Sequence, residues 1–309
     1  MRPAAKNIKP VAKKPVAKKP VGKRLNKIYN EDCLSTLKKM RDDSVDLVIT
    51  SPPYNMNLRI RNGEYCSRQI VKEISTKYTE FDDNLPIAEY NKFHTEVLRE
   101  LLRVSELIFY NIQIVTGSKR SIFKMIGEFS DHLKDIIVWD KGHAQPSIQK
   151  QVLNRRTELI LVFDKDYPIS RQYRKKGKFT RGTLDDIWEI KRERSKDGEN
   201  HGAVFPKELV AEILENFSEE GDIVYDPFAG TGTTAVVAKR LNRKFLGSEI
   251  SKKYIEVAEK RLKNSEALFA DQQLPFDKKP VAKKPVAKKP VAKKPVAKKP
   301  VAKKPARIV

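Results

Sequence analysis

Apolar blocks alternate with amphipathic blocks along residues 25–277 and predict strands separated by helices. Residues 44–50 (SVDLVIT) form the clearest strand, because they are rich in β-branched side chains and stop at Ser51-Pro52-Pro53. Further strands are predicted over Lys27–Asn30, Glu106–Asn111, Lys134–Trp139, Glu158–Phe163, Asp222–Tyr225 and Lys244–Glu249. Helices are predicted over Leu34–Met40, Ile87–Leu102, Pro206–Phe217, Thr233–Leu241 and Ser251–Asn264. This alternation predicts an α/β fold with a mostly parallel sheet covered on both faces.

The formal charge of +23 is concentrated at the two ends of the chain. Residues 1–24 carry nine Lys and Arg and residues 278–309 carry thirteen, with no acid in either segment. Pro-Val-Ala-Lys-Lys recurs there with a period of five, and this spacing of proline and like charge predicts disordered arms. We therefore predict a basic tail over 1–24, a folded domain over 25–264, and a linker with a second basic tail over 265–309. Such arms either contact DNA phosphates or have no selected role.

Composition argues against several other classes of protein. No apolar run reaches the roughly 18 residues of a membrane span, and the basic N-terminus lacks the apolar stretch of a secretory signal. The two cysteines, Cys33 and Cys66, have the spacing of neither a zinc site nor a disulfide framework. We expect a cytoplasmic, nucleoid-associated protein without a metal or a membrane partner.

The first chemical motif runs from Asp226 to Thr234 (DPFAGTGTT), between a predicted strand and a predicted helix. Gly230 and Gly232 allow the backbone to turn tightly and to approach a ligand closely. Glu249 ends the next strand, where an acid takes ribose hydroxyls in dinucleotide-binding folds. A glycine-rich turn alone often serves only packing, but the strand, helix and acid together predict a nucleoside-containing cofactor.

The second motif is Thr50-Ser-Pro-Pro-Tyr-Asn55, also at the carboxyl end of a predicted strand. An exocyclic base amine is a poor nucleophile, so its methylation needs acceptors that hold its N–H groups. The Ser51 hydroxyl and the Pro52 carbonyl can do this, because two prolines stiffen the backbone and aim the carbonyl. Tyr54 offers a face on which a flipped base can stack. The alternative is a proline turn beside a core tyrosine.

Together the two motifs resemble those of the DNA amino-methyltransferases, which use S-adenosylmethionine to methylate N4 of cytosine or N6 of adenine. The likeness covers nearly all of 25–264, and the catalytic motif precedes the cofactor loop, as in the family's permuted β class. Protein glutamine methyltransferases have the opposite order. The resemblance implies a Rossmann-like fold with circularly permuted motifs and a seven-stranded sheet with one antiparallel strand near its edge. It also implies that the two loops follow adjacent central strands.

The resemblance assigns roles to individual residues. The implied catalytic residues are Ser51, Pro52, Pro53 and Tyr54. Asp32 is implied to contact the adenosine of S-adenosylmethionine, and Phe205 and Pro206 to line its methionine end. The remaining implied cofactor-binding residues are Asp226, Phe228, Ala229, Gly230, Thr231, Gly232, Thr233 and Glu249.

Target recognition is expected in an insertion over about 164–200, where the family inserts its recognition region. Residues 171–181 (RQYRKKGKFTR) hold six basic residues and no acid, interleaved with Tyr173 and Phe179. Basic and aromatic residues in such a run can meet phosphates and bases. The candidate DNA-binding residues are Arg171, Arg174, Lys175, Lys176, Lys178 and Arg181. A solvated surface loop is the alternative for such a charge run. Met56–Tyr78 is a second candidate segment.

The sequence thus predicts a site-specific methyltransferase acting on N4 of cytosine in duplex DNA. Ser51 favours cytosine because the resembling adenine enzymes have Asp or Asn at that position. N6 of adenine is the alternative base, and a non-catalytic DNA-packaging protein is the alternative class. The resemblance suggests a restriction-modification system, with a cognate restriction endonuclease as a partner, and leaves a homodimer open.

Overall fold

The computed structural model describes residues 24–55, 60–61, 64–65, 85–115, 118–144, 151, 153–166, 172–173, 177–193 and 205–265. Contacts divide the chain into Met1–Asp277 and Lys278–Val309, and the second unit lies outside the described residues. Most of the predicted N-terminal tail lies outside them too. No helix in the described part is long and apolar enough to cross a membrane.

Helices and strands alternate through most of the described chain, as predicted. The strands are β1 (Lys27–Asn30), β2 (Val45–Thr50), β3 (Ile60–Arg61), β4 (Glu64–Tyr65), β5 (Ser105–Ile112), β6 (Leu133–Asp140), β7 (Thr157–Asp164), β8 (Ile187–Glu189), β9 (Ile223–Asp226) and β10 (Lys244–Glu249). The helices are α1 (Cys33–Lys39), α2 (Ile87–Val104), α3 (Lys119–Glu128), α4 (Lys207–Phe217), α5 (Thr233–Arg240) and α6 (Lys252–Lys263). The predicted elements are confirmed to within about two residues, the usual uncertainty of element ends.

The main sheet has eight strands in the order β1-β10-β9-β2-β5-β7-β6-β8. The predicted count of seven was wrong, because β8 pairs in parallel with β6 at the edge. This strand has only three residues and one buried side chain, Trp188, so it is too short to produce a recognisable hydrophobic pattern. β7 is antiparallel to both of its neighbours, and the other pairs are parallel. The expected single antiparallel strand near the edge is confirmed.

The two strands that precede the chemical motifs are neighbours at the centre of the sheet. β2 pairs in parallel with β9 through Leu47 opposite Val224 and Val48 opposite Tyr225. Because both strands point the same way, the residues that follow them lie at the same edge. The prediction of adjacent central strands is therefore confirmed.

Apolar clusters cover both faces of the sheet, which explains why β2 is buried at every position. Leu47 and Ile49 belong to a cluster with α4, α5 and α6, whereas Val48 belongs to one with α1, α2 and α3. The alternation follows the two-residue period of a strand. Helix α3 was not predicted; it buries Ile122 and Met125 but exposes Phe123, so its apolar stripe is narrow.

Candidate active site

A hydrogen bond joins the two motifs at the carboxyl edge of the sheet. Thr50 ends β2, and its hydroxyl donates to Oδ1 of Asp226, which ends β9, at 2.9 Å. Asp226 also accepts from the Thr234 hydroxyl at 2.7 Å and from the Phe228 amide at 3.1 Å. Burial raises the pKa of Asp226 to about 6, against the lowering effect of these donors. One buried carboxylate thus holds both loops together.

The glycine loop after β9 is fixed by the neighbouring strand. Glu249 ends β10 and accepts from the amides of Gly230 and Ser251, each at 2.8 Å. Gly230 has a φ of 51°, and a Cβ added there would find no atom closer than 4.0 Å. The open side of Gly230 is therefore the place where the loop can face a ligand.

Gly232 has a packing role that the sequence did not reveal. Its φ is 77°, and an added Cβ would lie 2.7 Å from the Cβ of Ala258 in α6. Two Cβ atoms cannot approach so closely, so Gly232 is needed for packing of the loop against α6. Close approach of a ligand to the Gly232 backbone stays a prediction.

Arg261, which the sequence did not single out, fastens the same loop from α6. Its guanidinium donates to the Thr231 carbonyl at 2.7 Å and to the Thr231 hydroxyl at 2.8 Å. A third contact reaches the Thr233 hydroxyl at 3.2 Å. The predicted cofactor loop is thus held by the β10 carboxylate and the α6 guanidinium.

The second motif is anchored to α2 and α3. Tyr90 in α2 donates to the Pro53 carbonyl at 2.8 Å, and Ser118 donates to the Tyr54 carbonyl at 3.0 Å. Asn55 makes two 2.8 Å hydrogen bonds with the backbone of Leu85. Within the described ranges, the Pro52 carbonyl has no hydrogen-bond donor. This arrangement agrees with a carbonyl directed at a substrate.

The side chains of the motif enter a polar cluster, which we define as Ser51, Tyr54, Asn111, Lys141 and Glu158. The Tyr54 hydroxyl lies 2.9 Å from the Ser51 hydroxyl and donates to Glu158 Oε2 at 2.8 Å. Asn111 Nδ2 donates to the Tyr54 oxygen at 2.7 Å and to Glu158 Oε2 at 2.9 Å. Lys141 Nζ lies 3.0 Å from Glu158 Oε1. β5, β6 and β7 thus complete a site that the sequence placed on β2 alone.

Comparison with known proteins identifies the family. The family model for DNA methylases, which covers N6 and N4 methyltransferases, matches residues 45–260. The chain belongs to the DNA methylase family. It is a DNA amino-methyltransferase, and S-adenosylmethionine is the methyl donor of this family.

Curated DNA methylases align over most of the chain. Type II methyltransferase M.BglII from Bacillus subtilis is 32% identical over 76% of this chain and 68% of its own length. Type II methyltransferase M.HinfI from Haemophilus influenzae is 31% identical over 77% of this chain and 68% of its own length. The sequence likeness to both relatives therefore covers about three quarters of the chain.

Solved structures support the same fold. The PvuII DNA methyltransferase, described as cytosine-N4-specific, has a TM-score of 0.57 at 19% identity, covering 85% of this chain and 99% of that one. A DNA modification methylase from Thermus thermophilus has a TM-score of 0.52 at 25% identity, covering 76% of this chain and 93% of that one. The predicted Rossmann-like methyltransferase fold is confirmed.

Several residues of this DNA methylase fit its methyl donor. The open side of Gly230 leaves space for a ligand, and the Glu249 carboxylate lies beside it, where it accepts from the Gly230 amide. Asp32 caps α1 by accepting from the amides of Leu34 and Ser35, and it follows β1, which pairs with β10. Asp32 and Glu249 thus stand on neighbouring strand ends at one edge.

The segment before α4 packs against β6. The ring of Phe205 meets that of Trp139 edge-on, with 6.4 Å between centroids. Pro206 is buried and directly precedes α4. Contact of Phe205 and Pro206 with the methionine end stays a prediction.

The candidate DNA-binding residues are only partly described. Arg171, Arg174, Lys175 and Lys176 lie outside the described residues, and so does most of Met56–Tyr78. Arg181 is exposed. Lys178 Nζ pairs with Glu219 at 2.6 Å, and its amide donates to the Asn216 carbonyl at 2.9 Å.

Lys178 and its aromatic neighbours are near the end of α4, which returns the chain to the start of β9. Tyr173 and Phe179 both pack against Phe217, at centroid distances of 5.0 Å and 5.3 Å. The aromatic residues expected to meet bases are therefore core anchors at the amino edge. This position does not favour a DNA contact by Lys178, which stays an untested prediction.

Proposed function

We propose that this DNA methylase transfers a methyl group to the exocyclic N4 of cytosine in duplex DNA. The 2.9 Å hydrogen bond between Thr50 and Asp226 carries the proposal. It holds the residue before Ser51 against the strand end that begins the glycine loop. The acceptors for an amine and the residues suited to the methyl donor therefore share one edge of the sheet.

Ser51 and the Pro52 carbonyl are proposed to accept hydrogen bonds from the amine. These bonds draw the nitrogen lone pair out of conjugation with the ring and hold it in line for attack. Tyr54 supports the flipped base by stacking. Polar groups fixed before the substrate arrives cost little reorganisation during the reaction.

The proposed donor site consists of residues from three strand ends. Asp32, Asp226 and Glu249 supply the acids, and the loop residues Phe228, Ala229, Gly230, Thr231, Gly232 and Thr233 connect β9 to α5. Phe205 and Pro206 are proposed to line the methionine end. S-adenosylmethionine supplies an electrophilic methyl group when bound.

Cytosine is proposed rather than adenine because the motif begins with Ser51, where the resembling adenine enzymes have an acid or an amide. The likeness to type II methyltransferases supports a role in restriction and modification, with a cognate endonuclease in the cytoplasm. We further propose that 25–264 carries the chemistry, with target recognition at about 164–200, and that the two basic tails contact DNA phosphates.

Nucleoside analysis of methylated DNA tests the proposal. The full chain is incubated with labelled S-adenosylmethionine and duplex DNA, and the digest is separated by mass spectrometry. N4-methylcytosine is expected, and Ser51→Ala serves as the matched variant with reduced turnover. N6-methyladenine alone would reject the base assignment. Absence of any methylated DNA would reject catalysis and favour a packaging role.

A further inference from the structure

Two buried charges lie behind the catalytic motif and make no contact with the predicted donor loop. The Lys141 side chain is 0% exposed and that of Glu158 7% exposed, with 3.0 Å between Nζ and Oε1. Among the residues that the structure describes, Arg192 is the other cation facing this carboxylate, at 3.9 Å. Burying an ion pair usually gains little stability over apolar packing, so such a pair points to a role besides stability.

The geometry of Glu158 fixes the direction of the hydrogen bonds that reach Ser51. An ionised carboxylate only accepts, and a tyrosine hydroxyl has one proton to donate. The 2.8 Å contact therefore commits the Tyr54 proton to Glu158 Oε2. Asn111 Nδ2, which must also donate to Glu158, then donates to the Tyr54 oxygen at 2.7 Å.

A further contact of the Tyr54 oxygen is with Ser51, at 2.9 Å. Since the Tyr54 proton is already committed, Ser51 must be the donor in this contact. Its proton then points to Tyr54, one lone pair of its oxygen accepts the 3.4 Å contact from Asn111 Nδ2, and the other is directed to a substrate amine. If these hydrogen bonds ran in the opposite direction, the Ser51 proton would turn toward the amine N–H, and two donors would face each other.

We propose that Glu158 is a positioning residue that sets the direction Ser51 to Tyr54 to Glu158, so that Ser51 presents an acceptor to the base amine. Lys141 offsets the buried charge, and Asn111 occupies the second lone pair of the Tyr54 oxygen. The inference rests on the proposed role of Ser51 as an amine acceptor. It assigns to β6 and β7 a part in the reaction.

A double-mutant cycle on kcat tests the inference. Glu158→Gln is isosteric but offers an amide donor at this position. The hydrogen bonds from Glu158 through Tyr54 to Ser51 can then run in the opposite direction. We expect it to lower single-turnover kcat by about tenfold or more when Tyr54 is intact. In a Tyr54→Phe background the hydrogen bonds between Ser51 and Glu158 are already interrupted, so the same change should lower kcat by less than about twofold. Radiolabelled donor allows even slow variants to be followed.

Asp164→Asn is the matched control, because Asp164 lies at the other end of β7 and pairs with the buried Lys134 at 3.4 Å. It should leave kcat unchanged. If Glu158→Gln does not fold, because Lys141 is left unpaired, the neutral pair Glu158→Gln/Lys141→Met carries the same cycle. Thermal unfolding verifies that each variant is folded at the assay temperature.

The outcomes separate the two ideas. If Glu158→Gln lowered kcat equally with Tyr54 intact and in the Tyr54→Phe background, the positioning role would be overturned and only a packing role would remain. A change in KM without a change in kcat would overturn it as well. Failure of the unmodified chain to methylate DNA would instead overturn the proposed function on which the inference rests.

Discussion

The Thr50 hydroxyl donates to Asp226 Oδ1 at 2.9 Å, across 176 positions of the chain. Both residues are buried, and each is the last residue of its strand. The bond therefore couples the position of the Ser-Pro-Pro-Tyr motif to that of the glycine loop. A shift of either loop would leave a buried acceptor without one of its donors.

Replacing the Thr50 hydroxyl by a methyl group should expose the energetic value of this coupling. Thr50→Val keeps the shape of the side chain but leaves Asp226 Oδ1 short of one donor. We expect a loss of about 1–3 kcal/mol in the free energy of unfolding, measured in urea. Thr50→Ser, which retains the hydroxyl, should lose less. Equal losses in both variants would show that packing, and not the hydrogen bond, matters at Thr50.

Asp226 should make stability depend on pH in a definite direction. Its pKa in the folded protein is raised from 3.8 to about 6, so the folded state binds its proton more tightly than the unfolded state. The stability that the protonated Asp226 carboxyl contributes is fully present below about pH 3.8 and is lost as pH rises through about 6.

Asp226→Asn removes this titration. The free energy of unfolding of the variant minus that of the unmodified protein should be about 2–3 kcal/mol larger at pH 7.5 than at pH 4. Urea unfolding at both pH values, without a methyl donor, measures the difference. A difference that does not change with pH would contradict the raised pKa.

Substitutions at Tyr54 and Gly230 should separate turnover from donor binding. Tyr54→Ala should lower kcat at least about a hundredfold with little change in S-adenosylmethionine affinity, because it removes the stacking face and the partner of Ser51. Gly230→Val should weaken donor binding instead, because a side chain would fill the open side of the loop and strain its positive φ. Calorimetry and single-turnover kinetics measure the two effects. Loss of donor binding in folded Tyr54→Ala would refute this division.

The basic tails should add DNA affinity that does not depend on sequence. Each phosphate that a lysine neutralises steepens the plot of log affinity against log salt by about 0.9. Removal of residues 1–24 and 278–309 should flatten that slope. The recognised sequence and single-turnover methylation at saturating DNA should remain almost unchanged. An identical slope with and without the tails would show that they do not engage DNA.

The sequence predicted the sheet and the two motifs because long apolar runs and proline or glycine stops are local signals. The adjacency of β2 and β9 has no local signal, since Thr50 and Asp226 are 176 positions apart. It was predicted from the resemblance to a family. Gly230 and Gly232 look alike in the sequence, and only the contact with Ala258 shows that one serves packing.

The polar cluster was missed for a similar reason. Lys141 and Glu158 stand at strand ends among other charged residues, where charge usually indicates solvent. Their burial arises from the antiparallel pairing of β6 with β7, which brings the two ends together. For Tyr173 and Phe179 the sequence predicted exposure where the structure shows packing. Aromatic residues within a basic run suggested base contacts, but their rings pack on Phe217.

The position of β1 at one edge of the sheet has a consequence for synthesis. Its partner is β10, whose first residue, Lys244, follows Lys27 by more than two hundred positions. At about 5–20 residues per second, a ribosome needs on the order of 10–40 s to make the missing partner. During that time β1 and one edge of β2 lack the strands with which they pair in the native sheet. The nascent chain therefore passes through a long interval in which chaperones can bind the strands that later carry the active site.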